Sequence, residues 1–158
     1  MHLSRFLRFV NLLIAGSFFC LLISCGGDQI DVPDVPLAGK IDGVDWEYKF
    51  GNGTPTVDFK YKFLLLSTKE LGDDPCTVVS TTNPHLEMIL PLGTGSYSLP
   101  LSGLNNSVKF VHGDGVVLSA VAGFLEIVAI ENGRLIGYIQ ADDGGGNEVL
   151  GTFIAELC

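Results

Sequence analysis

"GFLEIVAIENGRLIGYIQADDGGGNEVLGTFIAEL", residues 123–157, sets the fold. Two β-rich runs, "GFLEIVAI" and "RLIGYIQA", flank Glu131-Asn132-Gly133. Asn-Gly between such runs predicts a type I′ hairpin turn, because both residues tolerate positive φ. A glycine loop, "DDGGGNE", then leads into a last strand, "VLGTFIAEL". The reading is a three-stranded antiparallel meander. Val149, Gly151, Phe153, Ala155 and Leu157 fall on one face of its last strand by the two-residue period. Gly137 and Gly151, lying inside strands, predict bulges or close backbone contacts.

The same pattern extends backwards from residue 123. "SVKFV" runs to a turn at Gly113-Asp114-Gly115, "GSYSLPL" is short and extended, and "HLEMILP" is closed by Pro91. "VDFKYKFLLLS" places Phe59, Tyr61, Phe63 and Leu65 opposite Asp58, Lys60 and Lys62. "GKIDGVDWEYKF" predicts a short strand, a turn at Asp42-Gly43, and a second strand with Trp46, Tyr48 and Phe50 on one face. No stretch holds a capped 3.6-residue apolar period. Residues 37–158 are therefore expected to form an all-β domain, an antiparallel β-sandwich or barrel-like body of about eight to ten short strands with a C-terminal meander.

The first 24 residues read differently. Arg5 and Arg8 precede an apolar core from Phe9 to Ile23, shorter than the roughly 20 residues of a spanning helix. This is the pattern of a secretory signal peptide. Leu22-Ile23-Ser24-Cys25 resembles the lipobox of bacterial lipoproteins. That resemblance implies cleavage between Ser24 and Cys25 and lipidation of Cys25: a diacylglyceryl group on its thiol and a further acyl chain, such as palmitate, on its amine. Two or more chains anchor stably where one does not. Residues 25–36 ("CGGDQIDVPDVP") read as a flexible acidic tether that reaches about 40 Å when extended.

Charge limits the partners. The chain carries 9 Lys+Arg against 18 Asp+Glu. Removal of residues 1–24 takes two arginines and leaves 7 basic and 18 acidic residues, a balance of −11. Such a surface repels nucleic acid. The expected partner is the membrane, through the N-terminal lipid; a protein or glycan partner is not specified by the sequence. Cys20 belongs to the signal core. Cys76 and Cys158 remain, and in an oxidising compartment they are expected to form one disulfide.

"IDGVDW", "GSYSL" and "GRLIGYIQA…NEVLGTF" together resemble a group of Bacteroidota envelope lipoproteins of unknown function. Gly43 and Trp46 fit the first element, Gly95, Tyr97 and Leu99 the central one, and Gly151, Thr152 and Phe153 the last. The resemblance implies a β-sandwich on a lipid anchor in the outer membrane, on its periplasmic face or at the cell surface, with no established active site. Asp28 and Asp31 are similar to a sparse form of that group's surface-export signal.

Catalytic chemistry has few candidates. After residue 25 only His85 and His112 offer a base, and both adjoin turns. Glu87 and Glu126 alternate with apolar neighbours, as outward-facing strand acids do. Asp142, Asp143, Asn147 and Glu148 supply hard oxygen donors, a weak calcium set without the spacing of known loops. Trp46, Tyr48, Tyr61 and Tyr97 suit a core better than a sugar platform. No cofactor is expected. A non-catalytic binding or structural module is favoured. A small carbohydrate-active or other hydrolase is one alternative, and an accessory subunit of a nutrient-uptake or adhesion assembly is another.

Overall fold

A computed structural model describes residues 34–67, 74–77, 81–103 and 105–158. Ser24, Cys25 and most of the tether lie outside the described residues. The body is all-β: β1 Ala38–Ile41, β2 Val44–Glu47, β3 Phe50–Pro55, β4 Lys60–Leu66, β5 His85–Pro91, β6 Gly95–Ser98, β7 Ser107–Val111, β8 Val117–Ser119, β9 Ala122–Glu131, β10 Arg134–Asp142 and β11 Glu148–Leu157. No helix among the described residues is long and apolar enough to cross a membrane.

The strands form one curled sheet, a half-barrel, in the order β6-β9-β10-β11-β3-β4-β5-β7-β8. Of the two forms expected, a sandwich or a barrel-like body, the structure takes the barrel-like one: a single hydrogen-bonded path bends round the core. The chain itself brings the ends of that path together. Residues 117–131 run as two strands: β8 pairs with β7, and β9 pairs with β10. At the break, Ala120 N donates to Val108 O at 2.9 Å and Val121 N donates to Asp142 O at 2.8 Å. One segment thus serves both limbs of the curl.

The C-terminal meander matches its sequence. Asn132 and Gly133 have φ of 51° and 74°, joining β9 to β10. Val149, Phe153 and Ala155 are buried in the core, and Leu157 packs against it. A bulge falls at Ile136/Gly137, and a Cβ on Gly137 would meet the Phe153 ring at 2.6 Å. Gly151 has φ of 137°, and there a Cβ would lie 2.6 Å from Leu37 Cα and from Pro36 O. Those contacts show that the fold starts before β1. Thr152 N donates to Val35 O at 2.7 Å, and Leu37 is fully buried. The last residues read as tether are therefore docked along β11.

The outer edge of β11 is shared. Its start pairs antiparallel with β1, Thr152 bridges Pro36, and its end pairs with β3 in the parallel sense. The sheet is mixed, not purely antiparallel. Sharing one edge requires the predicted strand from Val44 to Phe50 to divide. β2 stays with β1, and β3 moves to the far end of β11. Trp46 stays in the main core, whereas Phe50 joins a second cluster with Leu64 and Leu66.

Phe63, Phe110 and Phe153 are fully buried among Leu86, Met88, Leu125 and Ile127. Side chains of this size each stabilise the fold by about 1.5–3 kcal/mol when removed from water. Phe59, expected to continue the inward row, does not reach this core. It sits in the β3–β4 turn with φ of 58° and is 96% exposed.

Candidate functional site

Three loops meet at one end of the half-barrel: the Asp42-Gly43 turn between β1 and β2, the turn after β7 and the glycine loop between β10 and β11. Asn147, 4% exposed, is the hub. Its Oδ1 accepts from Asp42 N at 2.8 Å and faces His112 Nε2 at 3.2 Å. Its Nδ2 donates to Asp143 Oδ2 at 2.6 Å, which fixes the amide orientation. His112 Nε2 therefore carries a hydrogen. The other ring nitrogen, Nδ1, lies 3.2 Å from Asp42 Oδ1, and Gly113 N donates to Asp42 Oδ2 at 3.3 Å.

The glycine loop is held by its own acids. Asp143 Oδ1 accepts from Gly145 N and Asn147 N, and Asp142 Oδ1 accepts from Gly144 N. Burial pushes the Asp143 carboxyl up, but the bonds from Asn147 and from Gly145 N outweigh it and hold the group below its ordinary value. The four calcium candidates thus divide. Asp142, Asp143 and Asn147 direct oxygens to loop and ring partners, and Glu148 lies in β11 opposite Asp142 and Lys40. No group of three or more His, Cys, Asp or Glu suited to a metal occurs among the described residues.

The other singled-out residues fall elsewhere. His85, expected at a turn or surface, is buried, with Nδ1 2.8 Å from Asn83 O. Glu87 faces outward and binds Lys62 at 2.8 Å, with Lys109 at 3.8 Å. Glu126, expected to face outward, lies opposite Tyr138 and Ser96, and its Oε2 is buried without a hydrogen-bond partner among the described residues. Trp46 is buried and donates from Nε1 to Pro84 O at 2.9 Å. Tyr61 and Tyr97 pack against the core. Tyr48 does so too, and its hydroxyl donates to Ile154 O. Cys76 and Cys158 are joined across 82 positions, with Cα atoms 5.6 Å apart. That bridge ties a single 3-10 turn, Pro75–Thr77, to the end of β11.

A cleft of about 300 Å³ lies where Ala38 and Gly39 meet the ends of β10 and β11, and two larger ones flank the sheet. One, about 520 Å³, lies between Tyr48–Gly51 and the outer face of β11; Arg134 binds Glu156 there at 2.8 Å, and Asp34 also lines it. The other, about 440 Å³, opens beside the β3–β4 turn and the start of β7. Thr56, Asp58, Lys60, Asn105, Ser107 and Lys109 line it, with Ile89 as an apolar wall. Phe59 lies between Asp58 and Lys60 in the chain but is not among the lining residues. Sequence reasoning missed this cleft, because its walls come from three separate segments. The positive φ of Phe59 had no glycine or asparagine to signal it.

No known protein family, curated protein or solved structure matches the chain.

Proposed function

We propose that this chain is a lipid-anchored module of a bacterial outer membrane that binds a ligand without covalent chemistry. One observation carries the reading: a lipobox ending at Cys25 stands ten residues before Val35, where the β body begins. A short acidic segment is enough to hold such a body just beyond the headgroups. Two further features support it. The disulfide suits an exported protein. Both histidines after residue 25 are engaged within the fold, His85 with Asn83 and His112 between Asp42 and Asn147.

The test is fractionation of cells expressing the full chain and its Cys25→Ser variant, with metabolic labelling by a clickable fatty acid. The wild type is expected to take up label and sediment with the outer membrane; the variant is expected to lose label and anchoring. An unlabelled wild type, or a variant that stays equally membrane-bound, overturns the anchor.

A further inference from the structure

Val57 and Phe59 stand apart from the other large apolar side chains among the described residues. Both are 96% exposed, whereas the next most exposed, Val121, is 55%. They occupy the turn between β3 and β4, which Thr56 closes: its N donates to Lys60 O at 2.8 Å and its Oγ1 to the same oxygen at 3.2 Å. Phe59, at φ of 58°, leaves the alternation of β4 and stands clear of the core. Asp58, between the two, accepts from Asn105 Nδ2 at 3.5 Å, which draws its carboxylate back towards the body. Leu92 adds to the tip, since it follows Pro91, the partner of Lys60 across β4 and β5, and is exposed. Apolar side chains clustered in water forgo the stabilisation of burial, so the tip points to a surface that takes them in.

The fold gives this tip a direction. β3 runs parallel to β11, with Gly51 beside Ala155 and Gly53 beside Leu157, so the turn lies beyond the C-terminal end of β11. The N-terminal segment leaves towards that same end. Traced backwards, Lys40 stands at Glu148, Ala38 at Leu150, and Val35 O accepts from Thr152 N. Asp34 then shares a cleft with Ile154 and Glu156. The acidic loops lie at the other end: Asp42, Asp142 and Asp143, with Asp114 in the turn after β7, gather where β11 starts.

Length agrees with direction. Five residue steps separate Thr152 from Leu157, and four separate Gly53 from Val57. At about 3.3 Å per strand residue, the tip stands at most about 30 Å beyond Val35. The ten residues from Cys25 to Val35 reach at most about 35 Å. A lipid on Cys25 therefore allows the tip to meet the bilayer surface, with little slack.

We propose that the β3–β4 hairpin is a membrane-docking finger: Val57 and Phe59 enter the boundary between headgroups and acyl chains and hold the body end-on above its anchor. This rests on the reading of Cys25 as lipidated and adds a second membrane contact to it. The acyl chains supply the affinity, and the finger sets the orientation. Residues 56–59 hold no cation, and the chain's net charge is −9, so the surface that the tip fits is a zwitterionic bilayer.

The test uses the lipidated protein, purified in detergent and reconstituted into phosphatidylcholine vesicles that contain lipid brominated on the acyl chains near the headgroup. Phe59→Trp places a reporter at the tip. Val44→Trp places one at the opposite end, on β2, where Val44 pairs with Ile41 and is 54% exposed. Trp46, buried in both, gives a common background. The tip reporter is expected to shift to the blue, to be quenched by the brominated lipid and to lose its quenching by iodide. The Val44→Trp reporter is expected to stay open to iodide and clear of the bromines. Adding Val57→Asp to the Phe59→Trp chain is expected to abolish the shift, with an unchanged melting temperature because the position is exposed.

A tip that stays open to iodide overturns the proposal. So does equal bromine quenching of both reporters, which means that the body lies flat, or a Val57→Asp chain that behaves like its parent. A tip exposed on vesicles but shielded in isolated outer membranes assigns the hairpin to a protein partner and overturns it as well. In each of these outcomes the chain still sits on the vesicle through Cys25, so the anchor survives. A chain that does not reconstitute at all removes anchor and finger together.

Discussion

Asn147 Oδ1 accepts a hydrogen bond from Asp42 N at 2.8 Å, across 105 positions of sequence. The same oxygen faces His112, so one buried amide holds three loops. Asn147→Ala would leave Asp42 N and the ring N–H without partners. The expected cost is about 2–4 kcal/mol, read as a lower urea midpoint with an unchanged slope. A variant as stable as the wild type would show that the loops hold without this hub.

The Cys76–Cys158 bridge closes a long loop, with the half-cystines 82 positions apart. In the chain-entropy model a closure of this length contributes about 4–5 kcal/mol. Cys158 N also donates to Gly53 O at 2.8 Å, so the strand end has a second hold. The double variant Cys76→Ser, Cys158→Ser is expected to fold with a much lower denaturant midpoint. Non-reducing peptide mapping of the wild type is expected to recover the linked pair; two free thiols would disprove the bridge.

Gly151 faces the backbone of residues 36 and 37 at a φ of 137°. Gly151→Ala strains the backbone and overpacks this contact, at an expected cost of about 2–4 kcal/mol in chemical denaturation. Increased protease cleavage near Val35 would show that the N-terminal segment has come off β11.

Burial raises the Tyr48 phenol from its ordinary 10.0 to about 12, and the nearby Glu156 carboxylate adds to the rise. The unfolded chain therefore loses this proton first. The contribution of Tyr48 to stability is complete below about pH 10 and disappears as pH rises through about 12. Between those values the wild type is expected to lose stability more steeply than Tyr48→Phe. Parallel curves would refute the assignment.

Asp143 gives the opposite sign. Its folded value lies below the ordinary 3.8, so its contribution is complete above 3.8 and is lost as pH falls through the lower folded value. Stability measured from pH 5 downward is expected to decline less for Asp143→Asn than for the wild type over the same interval.

Much of this body was readable locally. Residues 123–157 announced their hairpin through Asn132-Gly133 and their buried face through a two-residue period, because turn geometry and side-chain direction depend on neighbours in the chain. Gly137 and Gly151 were legible as close contacts for the same reason, though not what they touch. Phe59 misled because alternation was extended into a turn, where the period no longer applies.

By itself the sequence determined an all-β body, its main turns and the expected pairing of the two cysteines. Only the tertiary structure decided that one sheet curls in place of two that pack, that β11 shares its edge between β1 and β3, and that Asp42, His112 and Asn147 meet. The physical reason is that alternation says which way a side chain points but not which strand lies beside it. Strand edges pair through backbone groups that are nearly the same in every residue, so the choice of neighbour is made by how the whole core closes.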